Sequence, residues 1–198
     1  MKTITVNVYS FNELSDEAKK KAREWYRDGG FDFEWWDFVY DDSITIAGLM
    51  GIDISKIYFS GFYSQGDGAC FEGYYSYKIN SVNLVKEYAP EDKELRRIIE
   101  TLQAIQKKHF YKLSANVKHR GHYYHENCTE IQVYKDGNYL HSESELQAED
   151  EISECLRDFM MWIYKSLENN WDYLNSDESV DETIEANDYE FDESGNLI

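Results

Sequence analysis

Proline is almost missing from this chain: Pro90 is the only one. No Pro-rich linker therefore divides its 198 residues, a length that suits a single domain, 1–198. Cysteine is scarce as well. Cys70, Cys128 and Cys155 are odd in number and scattered, with no Cys-x-x-Cys pair. That excludes a disulfide framework and points to reduced thiols in a cytoplasmic setting. A run of about eighteen apolar residues, the length a spanning helix needs, does not occur, so no membrane contact is expected. The opening stretch MKTITVNVYSFNEL lacks the apolar region and small-residue cleavage site of a signal peptide.

Basic charge is the other shortage. Twenty Lys and Arg stand against 39 Asp and Glu, a formal net charge of −19. The excess is uneven. Residues 141–198 hold 18 acidic and 2 basic side chains, whereas residues 80–120 hold 9 basic and 5 acidic. Phosphate contacts supply most of a nucleic-acid binder's affinity, so direct nucleic-acid binding is disfavoured. An acidic part of this size attracts a basic partner surface, or else merely solvates helix faces.

What is present is aromatic and patterned. In Ile57–Tyr77, IYFSGFYSQGDGACFEGYYSY, two alternating aromatic-rich segments flank Gly66-Asp67-Gly68. Period two with a Gly-Asp-Gly break predicts a β-hairpin with Gln65, Asp67 and Glu72 near its tip. Lys2–Tyr9 reads as a strand, Ser15 as the cap of a helix to about Asp28, and Glu34–Met50 as a helix ended by Gly51. In that last helix the expected stripe is Trp35, Phe38, Val39, Asp42, Ile46 and Leu49. Ser81–Ala89 and the segment from Glu91 to Lys108 read as helices on either side of Pro90. Tyr111–Arg120 alternates cleanly, placing Lys112, Ser114, Asn116, Lys118 and Arg120 in one basic strip. Tyr123–Tyr134 reads as its return strand, and Asp136-Gly137-Asn138 as a turn. A long helix is predicted from Ser144 to Leu174 on the stripe Ile152, Leu156, Phe159, Met160, Ile163, Leu167, Trp171 and Leu174. A short capped helix follows to Ala186, and the last residues read as a frayed tail or a terminal hairpin turning at Ser194-Gly195-Asn196.

The chemistry-bearing clusters are weak as enzyme signals. His119, His122, His125 and Cys128 fall within ten residues. On a strand, however, they would point to opposite sides, so no metal site is expected. Ser64-Gln65-Gly66-Asp67-Gly68 lacks the lysine of a phosphate loop and is a turn first. A histidine near Cys70 would make a nucleophile pair, although a free cysteine more often packs as a small hydrophobe. No catalytic residue, cofactor or enzymatic activity is expected. Two candidate surfaces remain. One is the acidic helix, with Glu149, Glu151, Glu154, Asp158 and Asp172 off the apolar stripe. The other is a ligand or partner face built from Gln65, Asp67, Tyr74, Lys118, Arg120, His122 and His125.

Four segments carry a resemblance: FNELSDEAKKKAREWYR, IYFSGFYSQGDGACFEG, LSANVKHRGHYYHENCTEI and LRDFMMWIYKSLENNWDYL. Together they resemble a family of small phage- and mobile-element-encoded proteins labelled "antitoxin of toxin–antitoxin stability system". The resemblance implies an accessory gene acting in the cytoplasm of a bacterial host cell. It transfers no residue roles.

The expected fold is α+β: an antiparallel sheet of about four strands, helices on one face, and a strongly acidic helical part over residues 141–198. The leading functional expectation is a phage counter-defence inhibitor of anti-CRISPR or anti-restriction type. It would block a basic or nucleic-acid-binding host protein through its acidic surface, with DNA mimicry as one mode. The alternatives are an antitoxin that neutralises a basic toxin and a protein that sequesters a small nucleotide signal.

Overall fold

The computed structural model describes residues 7–31 and 33–198. In chain order its elements are β1 (Tyr9–Ser10), α1 (Asp16–Gly29), α2 (Asp37–Met50), β2 (Ile52–Ser60), β3 (Gly68–Ser76), α3 (Ser81–Tyr88) and α4 (Lys93–Lys108). Then come β4 (Leu113–His119), β5 (Thr129–Lys135), β6 (Asn138–Tyr139), α5 (Glu143–Leu174), α6 (Asp177–Ala186) and β7 (Glu190–Phe191). They fall into two compact units. One is Trp36–Glu168, and the other joins the described residues up to Trp35 with Asn169–Ile198.

The larger unit is built on an antiparallel sheet ordered β2-β3-β4-β5-β6. Alternation dictates its faces. Ile57 pairs with Phe71, Tyr75 with Ala115 and Ala115 with Val133, and all of these are buried on one face. Helices α4 and α5 cover that face. The α4 stripe Leu95, Ile98, Ile99, Leu102 and Ile105 is buried throughout. The buried Gln106 amide donates to the Leu113 carbonyl at 2.7 Å and to the Tyr75 hydroxyl at 3.3 Å, and accepts from the Leu113 N–H at 3.2 Å. Phe159 of α5 meets Phe71 edge-on at 6.1 Å. Asp53, Tyr74 and Lys118, of the opposite parity, are exposed.

The sheet has five strands rather than four. Asp136 and Gly137, at φ 49° and 78°, make a two-residue turn of the kind that returns a strand, and β6 pairs with Tyr134 and Lys135. Strand β2 starts at Ile52, earlier than the expected Ile57, because Gly51 at φ 91° ends α2 and feeds straight into the sheet. A register shift between Ile54 and Lys56 marks a bulge at Ser55, which hides the full strand from a strict period-two reading. Strand β5 starts at Thr129 and not at Tyr123, and a single turn of 3-10 helix spans Glu126–Cys128 before it. Tyr111 lies outside β4 at φ 61°. In α2, Phe38 is 60% exposed, and Ser43 is buried with its hydroxyl donating to the Val39 carbonyl at 2.6 Å. The true stripe therefore runs Val39, Ser43, Ile46, Ala47, Met50.

In the smaller unit, Ser15 caps α1 by accepting the Ala18 N–H at 3.3 Å. Ala18 and Ala22 pack with Phe11, Leu14, Val180, Ile184 and Phe191. Strand β1 pairs with β7, so the chain end is a strand and turn: Asp192 accepts the N–H groups of Ser194 and Asn196, both at 2.9 Å. Of the strand expected over Lys2–Tyr9, residues 1–6 lie outside the described residues.

A candidate binding cleft at the hairpin tip

The β2–β3 connection is shaped by Asp67. Its Oδ2 accepts the backbone N–H of Tyr63 at 3.0 Å and of Ser64 at 2.7 Å, while its own N–H donates to the Ser64 carbonyl at 3.1 Å. Against this loop lies the 120–128 loop. It is closed by Arg120 N–H on the Cys128 carbonyl at 2.7 Å and tightened by Cys128 N–H on the His125 carbonyl at 2.9 Å. Two glycines permit the approach. A Cβ on Gly68 would stand 2.5 Å from His125 Cα, and one on Gly66 would stand 2.6 Å from the Tyr123 ring.

Between the two loops and α5 is a cleft of about 510 Å³, lined by Gln65, Gly66, Asp67, Gly68, Tyr123, His125, Glu126, Met161 and Tyr164. Met161 and Tyr164 are three residues apart, which places them on one helix face. The Tyr164 hydroxyl donates to the Gly61 carbonyl at 3.3 Å, and its proton is held more tightly than usual, first by burial and then by Glu168 and Asp67. The Glu126 carboxylate accepts from the Asn127 side chain at 2.6 Å. Among the described residues neither Asp67 nor Glu126 forms an ion pair with Lys or Arg, and no lining residue is Lys or Arg.

The residues singled out from sequence are divided by the fold. Gln65, Asp67 and His125 meet in this cleft. Tyr74 and Lys118 lie instead in a groove of about 370 Å³ on the open sheet face, with Asp53, Glu72 and Asn116. Arg120 is paired with Glu130 at 2.7 Å and Lys112 with Asp136 at 2.7 Å, so much of the basic strip is an ion-pair face. His122 is exposed on the loop. His119 stacks on Tyr58 at 4.7 Å, and its backbone N–H donates to Glu72 at 3.1 Å. Among the described residues no His, Cys, Asp and Glu group is arranged to hold a metal ion.

The acidic helix is partly neutralised from within. Asp158 pairs with Arg97 at 2.7 Å and Glu151 with Lys108 at 3.7 Å, both partners on α4. Glu145 pairs with Lys135 at 2.8 Å, which together with hydrogen bonds from Ser142 and His141 drops its pKa to about 2. Glu149 accepts the Val133 N–H at 3.4 Å on the edge of β5, and Glu154 is exposed. The basic residues 80–120 and the acidic residues 141–168 thus answer each other across the fold.

A family profile for a domain of unknown function, DUF8835, matches residues 35–177. The chain belongs to the DUF8835 family. Every cleft residue of this DUF8835 chain lies inside the matched segment, whereas α1 and β7 lie outside it. No curated protein and no solved structure matches the chain. Sequence reasoning offered Tyr123 only as a stacking partner beside the basic strip, and missed Glu126, Met161 and Tyr164 as site residues. Reading Tyr123–Tyr134 as a strand hid Glu126. The strong core signal of α5 drew attention from the last two.

Proposed function

We propose that this protein works as a binder of a basic partner protein, and that the cleft takes a Lys or Arg side chain of that partner. One observation carries the reading. The cleft combines the carboxylates of Asp67 and Glu126, neither ion-paired to Lys or Arg among the described residues, with the rings of Tyr123 and Tyr164 and the thioether of Met161. Carboxylates, aromatic faces and a polarizable sulfur together suit a cation. A phosphate ligand suits such a lining poorly, since Lys118 and Arg120 lie elsewhere. In the bacterial setting that the family resemblance implies, the role is inhibition by occlusion: counter-defence against a host protein, or neutralisation of a basic toxin. The net charge of −19 adds long-range attraction to either.

The test is a calorimetric titration of the full chain with an arginine-rich peptide and, as control, a glutamate-rich one, at low and high salt. Binding of the basic peptide alone, weakened by Glu126→Gln and Tyr164→Ala, supports the cleft. Unchanged binding in those variants, with loss on charge reversal at Glu151 and Glu154, moves the function to α5.

A further inference from the structure

The three thiols of the chain stand in different surroundings. Cys70 and Cys155 are buried, and burial is the first cause that pushes each pKa up to about 12. Both behave as small core hydrophobes. Cys128 is half-buried, and its Sγ lies 3.3 Å from His125 Nε2. The Nδ1 of the same ring accepts the Asn127 N–H at 3.2 Å. A nitrogen that accepts carries no proton, so the neutral ring bears its proton on Nε2, the atom that faces the sulfur. The sulfur is thus held against the ring N–H, within reach of a group that can pass a proton to and from it. The arrangement is fixed from two sides. The turn Glu126–Cys128 sets the spacing of three residues, and Gly68 lets β3 press against the His125 backbone. Glu126, two residues before Cys128, and Glu72 of β3 stand close enough for their charges, together with that of Cys128 itself, to raise Cys70.

We propose that Cys128 is a reactive thiol, held by His125 for attack on small uncharged electrophiles of the α,β-unsaturated carbonyl class. This assignment is independent of the binding reading. In the step, the thiol gives its proton to solvent and the sulfur accepts the Nε2–H bond. The sulfur pair then forms the S–C bond at the β-carbon. The displaced π electrons become an enolate, whose α-carbon takes a proton from Nε2 or water, and solvent restores any proton taken from the ring. No group leaves and no oxidant is consumed.

The experiment treats the native chain with limiting N-ethylmaleimide and maps the adduct by peptide mass spectrometry, beside the same chain unfolded in denaturant at the same pH. The expected result is that Cys128 reacts faster in the native chain than in the unfolded one, while Cys70 and Cys155 are protected. His125→Ala should slow native Cys128 by about tenfold, the loss of one hydrogen bond to the sulfur. A native Cys128 no faster than its unfolded counterpart overturns the proposal, as does an unchanged rate in a folded His125→Ala variant. Should that variant fail the circular-dichroism check for folding, the native-to-unfolded ratio of the unaltered chain decides alone.

Discussion

Glu126 in the 120–128 loop and Asp158 on α5 are both carboxylates of the larger unit, yet the fold leaves them in opposite situations. Asp158 is answered by Arg97 of α4 at 2.7 Å, and Glu151, about two turns earlier on the same side of the helix, is answered by Lys108. Among the described residues the Glu126 carboxylate meets a neutral Asn127 amide and no Lys or Arg, and it lines a cleft with two tyrosines. Sequence charge is therefore a poor guide to available charge. The segment that looked most acidic brings its own counter-ions, while a stretch with few charges keeps an acid for use. Exposed pairs of the first kind contribute little to stability, so their arrangement limits what α5 can offer a partner more than it holds the fold.

Five substitutions, one of them a control, would break or sharpen that contrast. The largest effect is expected at Gly68, where an added Cβ meets the His125 backbone rather than a yielding side chain. Gly68→Ala should destabilise the chain by about 1–3 kcal/mol in urea unfolding and abolish peptide binding. Gly48→Ala in α2 is the control: its Cβ meets nothing within 4 Å, and a stabilisation of about 0.5–1 kcal/mol is expected. Next comes Glu126→Gln, which keeps the shape of the cleft and removes one charge. It should weaken the arginine-rich peptide by about tenfold, roughly 1.4 kcal/mol, without moving the unfolding midpoint.

Arg97→Ala is a smaller change. Arg97 and Asp158 are half-exposed, so the stability loss should stay below about 1 kcal/mol. The variant frees Asp158 and Glu94, and new peptide binding along α5 would show that internal pairing is what silences this helix. The smallest effect is a pH effect. Glu145 has its pKa lowered from 4.5 to about 2, with Lys135 the first cause. A depressed carboxylate contributes stability above its ordinary value and loses it as the pH falls toward the depressed one. Amide exchange at the start of α5 should therefore rise between about pH 4.5 and 2. Lys135→Met should bring the Glu145 titration, followed by NMR, back up toward the ordinary value.

Much of the fold was legible because long patterns average over local noise. The α4 stripe, the α5 stripe from Ile152 to Leu167, the Ser15 and Gly51 boundaries, the capped helix ending at Ala186 and the alternation of β4 from Leu113 to Val117 all stand where the sequence placed them. What escaped was local. Tyr123–His125 look like a strand, because a run of aromatic and β-prone residues reads the same whether it lies flat in a sheet or folds over its end. The bulge at Ser55 broke the parity on which β2 depended. In the cleft, Gln65, Asp67 and His125 were legible as polar groups near a turn. Met161 and Tyr164 were not, since helical spacing marks a stripe without naming what packs beside it. The ion pairs from α4 to α5 were also hidden, since nothing in one segment reveals which charges of another will face it.

The most direct measurement is an amide NMR titration of the assigned full chain with the arginine-rich peptide. If the cleft is the binding surface, shifts should concentrate on Gln65, Gly66, Tyr123, His125, Glu126 and Met161. Shifts running along Glu151, Glu154 and Asp158 with the cleft unmoved would contradict that claim and return the function to the acidic helix.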